Sequence, residues 1–292
     1  MNTGFDATAW RYGPLATLFY EIDKPVGTSF GDVEFYADRL RNVSGPVLEP
    51  AVGTGRILIP LLERGLAVRG YDTSDAMLGQ CRINCARRGL KADVFESDMT
   101  MHCEPGAFEA IVIPTGSFAL LPDHDSAQTA LAAMYASLAP GGRLIVDVEP
   151  PSLDTAPDTG PVPHQWNGSE LVTLTTWRTH VDPVAQRTTR WLRYEAWTNG
   201  ALTRTELQIF SLLWFGLPQF TAMLHQAGFT DVTVHGGYRA DTAPTAADNV
   251  WPSRPPTRSA PALTGKPPGQ TLLDTECLQS PVCPALCGAH PP

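Results

Sequence analysis

Glu49-Pro50-Ala51-Val52-Gly53-Thr54-Gly55-Arg56, directly after the short apolar run Pro46-Val47-Leu48, decides how this chain is read. A strand ends in an acid, small residues and two glycines follow, and an amphipathic stretch begins at Ile57. Glycine removes the side chain that would keep a ligand away from main-chain N–H groups, so a strand–turn–helix of this composition suits close ligand approach. A second strand-like run, 66–71, ends at Asp72. An acid there is placed to accept hydrogen bonds from both ribose hydroxyls of an adenosine. Turn and acid together point to a nucleoside-containing cofactor.

Working outward, strand-like segments at 46–49, 66–71, 92–96, 107–114 and 143–148 alternate with helix-like segments at 56–64, 74–88 and 125–138. Asp72-Thr73-Ser74 supplies N-cap chemistry for the second of these helices. Repeated β–α units of this length require a parallel sheet with helices on both faces. Upstream, residues 1–42 are rich in aromatics, among them Tyr12, Phe19, Tyr20, Phe35 and Tyr36, with helical periodicity over 30–40. Downstream of Pro150-Pro151, a loop to about Asn167 leads into three runs of β-formers at 170–178, 187–198 and 202–212. Their alternation predicts antiparallel strands with one solvated face, and Asn199-Gly200 reads as a hairpin turn. A helix at 219–227 closes on Gly228 and a strand follows at 230–235. From about Asp241 the chain is rich in Pro, Ala, Ser and Thr and reads as a disordered or loosely attached tail.

An apolar share of 43% over 292 residues is ample for a core. The formal charge of −9, with no Lys/Arg-rich block, argues against nucleic acid as the main partner. The longest near-apolar run, 209–217, is too short to span a bilayer, and the N-terminus lacks the basic and apolar parts of a signal peptide. A cytoplasmic protein with no membrane partner is the expectation. Cys81, Cys85 and Cys103 read as buried or idle thiols rather than a disulfide framework. Cys277, Cys283, Cys287 and His290 have the residue types of a zinc site, but their spacing is loose and interrupted by prolines, so no metal is expected.

The strict dinucleotide fingerprint is absent. With Gly53 and Gly55 as its first two glycines the third place falls on Leu58, and with Ala51 and Gly53 it falls on Arg56, where pyrophosphate packing wants a small residue. The pattern acid-x-Ala-x-Gly-x-Gly instead resembles motif I of the class I S-adenosylmethionine-dependent methyltransferases. The likeness continues through Gly70-Tyr71-Asp72, Met77-Leu78, Glu96-Ser97-Asp98-Met99, Phe108 to Phe118, and Leu138 to Val148, with Phe220 to Phe229 as the late helix–strand connection. It covers roughly 44–150 and 213–236.

The resemblance implies a Rossmann-like, doubly wound, mostly parallel seven-stranded sheet in the order 3-2-1-4-5-7-6 with a reversed last strand. The expected organisation is an N-terminal helical lid (1–42), a Rossmann-like core that binds S-adenosylmethionine (43–150), an antiparallel β insert (151–212), the end of the core (213–240) and the tail (241–292). By position, Glu49 and the Ala51–Gly53–Gly55 turn would line the methionine end. Asp72 would take the ribose with Thr73 and Met77 nearby, Asp98 and Met99 would face the adenine, and the Pro114 carbonyl would lie beside the sulfonium. Two departures stand out. Ala51 replaces the usual first glycine, at little cost where φ stays negative. The seventh strand has only Asn249-Val250-Trp251 available before Pro252, so it is truncated, displaced or missing.

Methyl transfer needs an acceptor lone pair held in line with the sulfonium carbon, and positioning alone supplies much of the rate. Ligands of an open α/β sheet sit at the carboxyl ends of its strands. Ser117, Phe118 and Glu149 occupy those ends, and Glu149 is the candidate polar group for catalysis. Tyr12, Phe19, Tyr20 and Trp214 are candidates for lining an apolar pocket, which suits a small-molecule substrate with nitrogen or oxygen as the methylated atom. Inserts of this kind sometimes serve as dimer contacts in such enzymes, which leaves a homodimer open. The competing readings are a dinucleotide-dependent oxidoreductase, opposed by Leu58 and Arg56, and a non-catalytic protein that binds S-adenosylmethionine.

Overall fold

The computed structural model describes residues 11–148, 164–239, 242–243 and 271–276. Helices α1 (Pro14–Asp23) and α2 (Asp32–Arg39) precede five strands, β1 (Val47–Pro50), β2 (Val68–Asp72), β3 (Val94–Glu96), β4 (Phe108–Ile113) and β5 (Leu138–Val148). These five pair in parallel in the order β3-β2-β1-β4-β5. Helices α3 (Leu58–Glu63), α4 (Asp75–Ala86) and α5 (His124–Ser137) connect them. Successive strand residues face opposite ways, and the core divides accordingly. Leu48, Ile111, Ile113, Leu144 and Val146 pack towards α5 and α6 (Leu217–Ala227). Val47, Val68, Val94, Ala110, Val112 and Ile145 pack towards α2, α3 and α4.

Two strands extend the β5 edge: β10 (Thr230–Gly236), and β11 (Thr271–Glu276), which runs antiparallel to both β5 and β10. With them the sheet has seven strands in the order β3-β2-β1-β4-β5-β11-β10, the expected order with β11 reversed, and five of them form the contiguous parallel part. The stretch read as a featureless tail contributes β11, whereas Asn249-Val250-Trp251 lies outside the described residues. The physical reason is the open ladder of β5, whose unpaired N–H and C=O groups accept any extended segment that can reach them. Thr271-Leu272-Leu273-Asp274-Thr275-Glu276 has no proline to interrupt that ladder.

The insert is a four-stranded antiparallel sheet of β6 (His164–Asn167), β7 (Glu170–Asp182), β8 (Arg187–Thr198) and β9 (Ala201–Leu213) in chain order. Strand β6 falls in a segment expected to be loop. Asn199 and Gly200 both have positive φ, 53° and 79°, as a type I′ hairpin requires. Leu15, Ala16 and Phe19 of α1 bury themselves against Val172, Leu192, Tyr194 and Ala196 of this sheet. Glu206 of β9 accepts hydrogen bonds from the backbone N–H groups of Leu15 (2.8 Å) and Ala16 (3.2 Å), which caps the start of α1. Gly13 makes that approach feasible, because a Cβ there would lie 2.5 Å from the Glu206 carboxyl carbon.

Cys81 and Cys85 are free and buried, but Cys103 is disulfide-bonded, contrary to its reading as an idle thiol. Ala51 has φ +53°, so its replacement of glycine is not the cheap one expected of a negative φ. Among the described residues no helix is long and apolar enough to cross a membrane.

Two stability measurements check these contacts. Glu206→Ala should lower the unfolding free energy by about 1 kcal/mol through loss of the α1 cap, read as a lower urea midpoint at unchanged slope. Ala51→Gly should raise it by roughly 0.5–1 kcal/mol, the relief of a left-handed Cβ less the entropy that glycine adds to the unfolded chain.

Candidate functional site

The turn after β1 is shaped by where its side chains are missing. Gly53 (φ +56°) and Gly55 (φ +86°) hold the left-handed region. A Cβ at Gly55 would meet the Cys81 sulfur at 2.8 Å, and one at Gly70 of β2 would meet Val52 at 2.7 Å, so these two glycines let helices and strands close up. Gly53 differs, since a Cβ there would meet nothing within 4 Å. Open space therefore lies over this position of the turn, and glycine leaves its main chain uncovered there.

Acids stand at the carboxyl ends of the three adjacent strands β1, β2 and β3. Glu49 is 2% exposed and its Oε2 is a buried oxygen without a hydrogen-bond partner. Burial pushes its carboxyl well above the usual range, and the nearby charges of Asp32 and Asp72 push the same way against the pull of Arg56. Asp72 closes β2. Its Oδ2 accepts from the Gly53 N–H (3.0 Å) and its Oδ1 from the Ser74 N–H (2.9 Å). Each oxygen keeps a lone pair for a further donor. Burial raises this carboxyl too, opposed by the N–H groups of Ser74, Gly53 and Thr73. Asp98 follows β3, and its Oδ1 is spent on Thr100, from N at 2.8 Å and Oγ1 at 2.5 Å. Thr73 is half-buried, while Met77 and Met99 are buried at 3% and 8% exposure. Ser74 caps α4 by accepting from the Met77 N–H (3.1 Å) and donates to the Tyr12 carbonyl (2.6 Å), which brings the segment before α1 to the ribose-side acid.

Beneath these acids lies a polar hub that the sequence reading missed. Arg56, weighed there only as a wrong third glycine, is buried and paired with Asp32 at 2.5 Å. The same guanidinium donates to the Thr28 carbonyl (3.1 Å) and to Thr115 Oγ1 (3.1 Å), and lies over the Phe30 ring. Its Nε is buried without a partner. Asp147 of β5 is fully buried and accepts from Tyr36 Oη (2.5 Å), Tyr238 Oη (2.6 Å) and the Thr115 N–H (2.6 Å). A lone acid inside the apolar run 144–148 was the available signal, since a charge buried in a strand requires donors from somewhere.

The residues expected on the acceptor side are dispersed. Tyr12 and Tyr20 are half-buried, edge-to-face at 6.1 Å, with Phe210 of β9 at 6.3 Å from Tyr12. Ser117 is half-buried and donates to the Pro114 carbonyl at 2.9 Å, the carbonyl expected to face the sulfonium. Phe19 is packed edge-on against Tyr194, and Phe118 is fully buried against Phe215 and Phe220. Both sit in the hydrophobic core rather than on an open wall. Trp214 is buried, its backbone N–H donating to the Gln186 carbonyl. Glu149 lies outside the described residues, as do Cys277, Cys283, Cys287 and His290. Among the described residues no cluster of His, Cys, Asp and Glu could hold a metal.

Residues 47–142 match the family described as a methyltransferase domain. Demethylmenaquinone methyltransferase of Thermus thermophilus is 38% identical over 108 residues, 36% of this chain and 47% of that enzyme, so the match spans about half of the relative. Among solved structures, the CcbJ methyltransferase of Streptomyces caelestis has a TM-score of 0.68 at 17% identity, covering 94% of this chain and 100% of its own. The sugar N-methyltransferase KedS8 of a Streptoalloteichus species has a TM-score of 0.65 at 22% identity, covering 96% and 97%. At such identities the likeness is one of fold, and its coverage takes in the antiparallel sheet as well as the parallel core. Residues 47–142 are thus similar to a methyltransferase domain, and the chain shares the Rossmann-like fold of these solved methyltransferases.

Proposed function

We propose that this chain transfers a methyl group from S-adenosylmethionine to the nitrogen or oxygen of a small-molecule acceptor. The observation that carries the reading is Glu49, a buried acid with an unspent oxygen beside the open turn at Gly53. An amine placed at Oε2 would supply the missing donor and return the carboxyl to its ionised form. The unspent Nε–H of Arg56 offers a donor of opposite charge nearby, so the pair suits an α-amino acid end. Asp72 retains the acceptor capacity that two ribose hydroxyls need, with Thr73 and Met77 at its side. Asp98 and Met99 would hold the adenine.

When bound, the cofactor supplies an electrophilic methyl on a cationic sulfur; the chain supplies placement. The Pro114–Ser117 turn at the end of β4 would lie beside the reacting centre. Tyr12 and Tyr20 would cover it from α1, with Phe210 behind them, and α1 with the insert would act as the lid. No base among the described residues is required, because an acceptor held in line within near-attack distance gains most of its rate from orientation. Glu149 remains the candidate if the acceptor must lose a proton.

A dinucleotide reading fares worse. Leu58, at the place of the third glycine, is fully buried, and its Cδ1 would lie 3.1 Å from a Cβ on Gly70, which leaves no gap for pyrophosphate packing.

Two measurements test the proposal. S-adenosylhomocysteine at about one hundred times its dissociation constant should stabilise the fold by about 2.7 kcal/mol, and NAD should not. A melting temperature moved by NAD alone would overturn the assignment, and one moved by neither would favour a chain that has lost binding. In calorimetry, Asp72→Ala should weaken S-adenosylhomocysteine by roughly tenfold or more, the worth of hydrogen bonds to a charged acceptor; unchanged affinity would remove the ribose role.

A further inference from the structure

Asp147 takes no part in the proposed chemistry, yet three separated segments converge on it. Tyr36 comes from α2, Tyr238 from the turn after β10, and the Thr115 N–H from the loop that leaves β4. Tyr36 Oη also reaches the Ile113 carbonyl at 3.5 Å, the last residue of β4. Two of the three partners have costly backbones. Thr115 has φ +61° and Tyr238 φ +55°, a left-handed conformation that bulky and β-branched side chains avoid. Such strain persists only where the surroundings over-determine it, and here the overdetermining group is one carboxylate. Thr115 is also held from its other side, by the Arg56 guanidinium on Oγ1. The strained residue therefore joins the cofactor-side hub to Asp147 and leads directly into Gly116 and Ser117.

We propose that Asp147 is a positioning residue, whose ionised carboxylate clasps the Thr115-Gly116 turn in the shape that cofactor binding and methyl transfer require. The inference rests on the function proposed above for the edge, and its test separates the two. Only the carboxylate can accept from all three donors at once. A protonated carboxyl is a poorer acceptor and must itself donate, so one tyrosine hydroxyl turns to accept and the charge-assisted bonds that hold the turn weaken. The groups facing Asp147 are the hydroxyls of Tyr36 and Tyr238, the amide of Thr115, and the charge of Asp32 one turn before Tyr36. Leu272 lies opposite on β11. No cation bonds it directly among the described residues.

Burial lifts the Asp147 carboxyl to about 7, the three donors resisting and Asp32 adding to the rise. The clasp therefore tightens and loosens across neutral pH. Because the folded-state value is raised, folding favours the protonated acid. Its contribution to stability is full below the ordinary carboxylate range and is lost as the pH climbs through about 7. Cofactor affinity runs the opposite way, since it needs the charged form.

The experiment is calorimetric titration of S-adenosylhomocysteine from pH 5.5 to 8.5, with hydrogen exchange of the peptide 113–118 followed at pH 8. In the unaltered protein the dissociation constant should rise about tenfold from pH 8 to pH 6, as the fraction with ionised Asp147 falls. Asp147→Asn should bind weakly, with that slope gone, and should exchange faster at 113–118. Tyr238→Phe removes one donor that holds the acid down, so its inflection should move to higher pH with the fold intact. This variant keeps the test alive if Asp147→Asn does not fold. A flat profile in the unaltered protein, or an unmoved inflection in Tyr238→Phe, would overturn the proposal. Should S-adenosylhomocysteine bind at no pH, the functional reading fails. The clasp is then judged by exchange alone, where native protection of 113–118 in both variants would sink it.

Discussion

Arg56 and Asp32, almost without exposed surface and 2.5 Å apart, hold the functional edge in one piece. The pair spans the turn that follows β1 and the segment that opens α2, and the same guanidinium reaches the loop after β4 through Thr115. Removing one partner of such a pair leaves an uncompensated buried charge at a cost of about 3–5 kcal/mol, whereas replacing both by apolar residues can be neutral. Its value therefore lies in geometry more than in stability. A hydrophobic contact would tolerate small slides between these segments; a guanidinium with four directed contacts does not. Every candidate ligand contact in the proposed function depends on that register.

The parallel sheet turns this local anchoring into a site. Since β3, β2, β1 and β4 are neighbours and run the same way, their carboxyl ends deliver Asp98, Asp72, Glu49 and the Pro114–Ser117 turn to a single edge. The side facing that edge is supplied by chain that does not belong to the parallel core. Tyr12 is tied to Ser74, α1 is capped by Glu206, and Tyr194 and Phe210 belong to the insert. On the proposed reading, cofactor-side and acceptor-side walls would come from different parts of the sequence, joined by a few directed hydrogen bonds. Variation in the insert would then change the acceptor without disturbing the turn.

What was legible in the sequence was local. The Glu49–Gly55 turn, the acid at the end of β2 and the Ser74 cap are each read within a few residues, because strand exit, left-handed glycine and helix capping are short-range chemistry. The hairpin at Asn199-Gly200 falls in the same class. The hub was not legible, because Arg56 and Asp32 are 24 positions apart and Tyr36 and Asp147 are 111 apart. Only the lone acid in the run 144–148 hinted at it. Strand β11 escaped for a different reason. The segment around it was weighed by its proline content, and pairing of an edge strand depends on reach and an open ladder rather than on the composition of its neighbours. The φ of Ala51 could not be foreseen either, since alanine carries no mark of the conformation a turn imposes on it.

The charges under the edge are unbalanced, and the imbalance argues for what the edge binds. Asp32, Glu49 and Asp147 are each 2% exposed or less, against one buried Lys or Arg among the described residues, Arg56. Arg56 compensates Asp32 directly. Asp147 is satisfied by two hydroxyls and an amide, as a structural acid should be. Glu49 is left with an oxygen that nothing in the described chain satisfies. An anionic pyrophosphate at this turn would only push further towards the neutral form an acid that burial already holds there, and would leave its cost unrelieved. A ligand with a protonated amine and a cationic sulfur meets the same acid as a partner and lowers its desolvation cost, so the residue that burdens the unliganded fold selects the sign of the charge that relieves it.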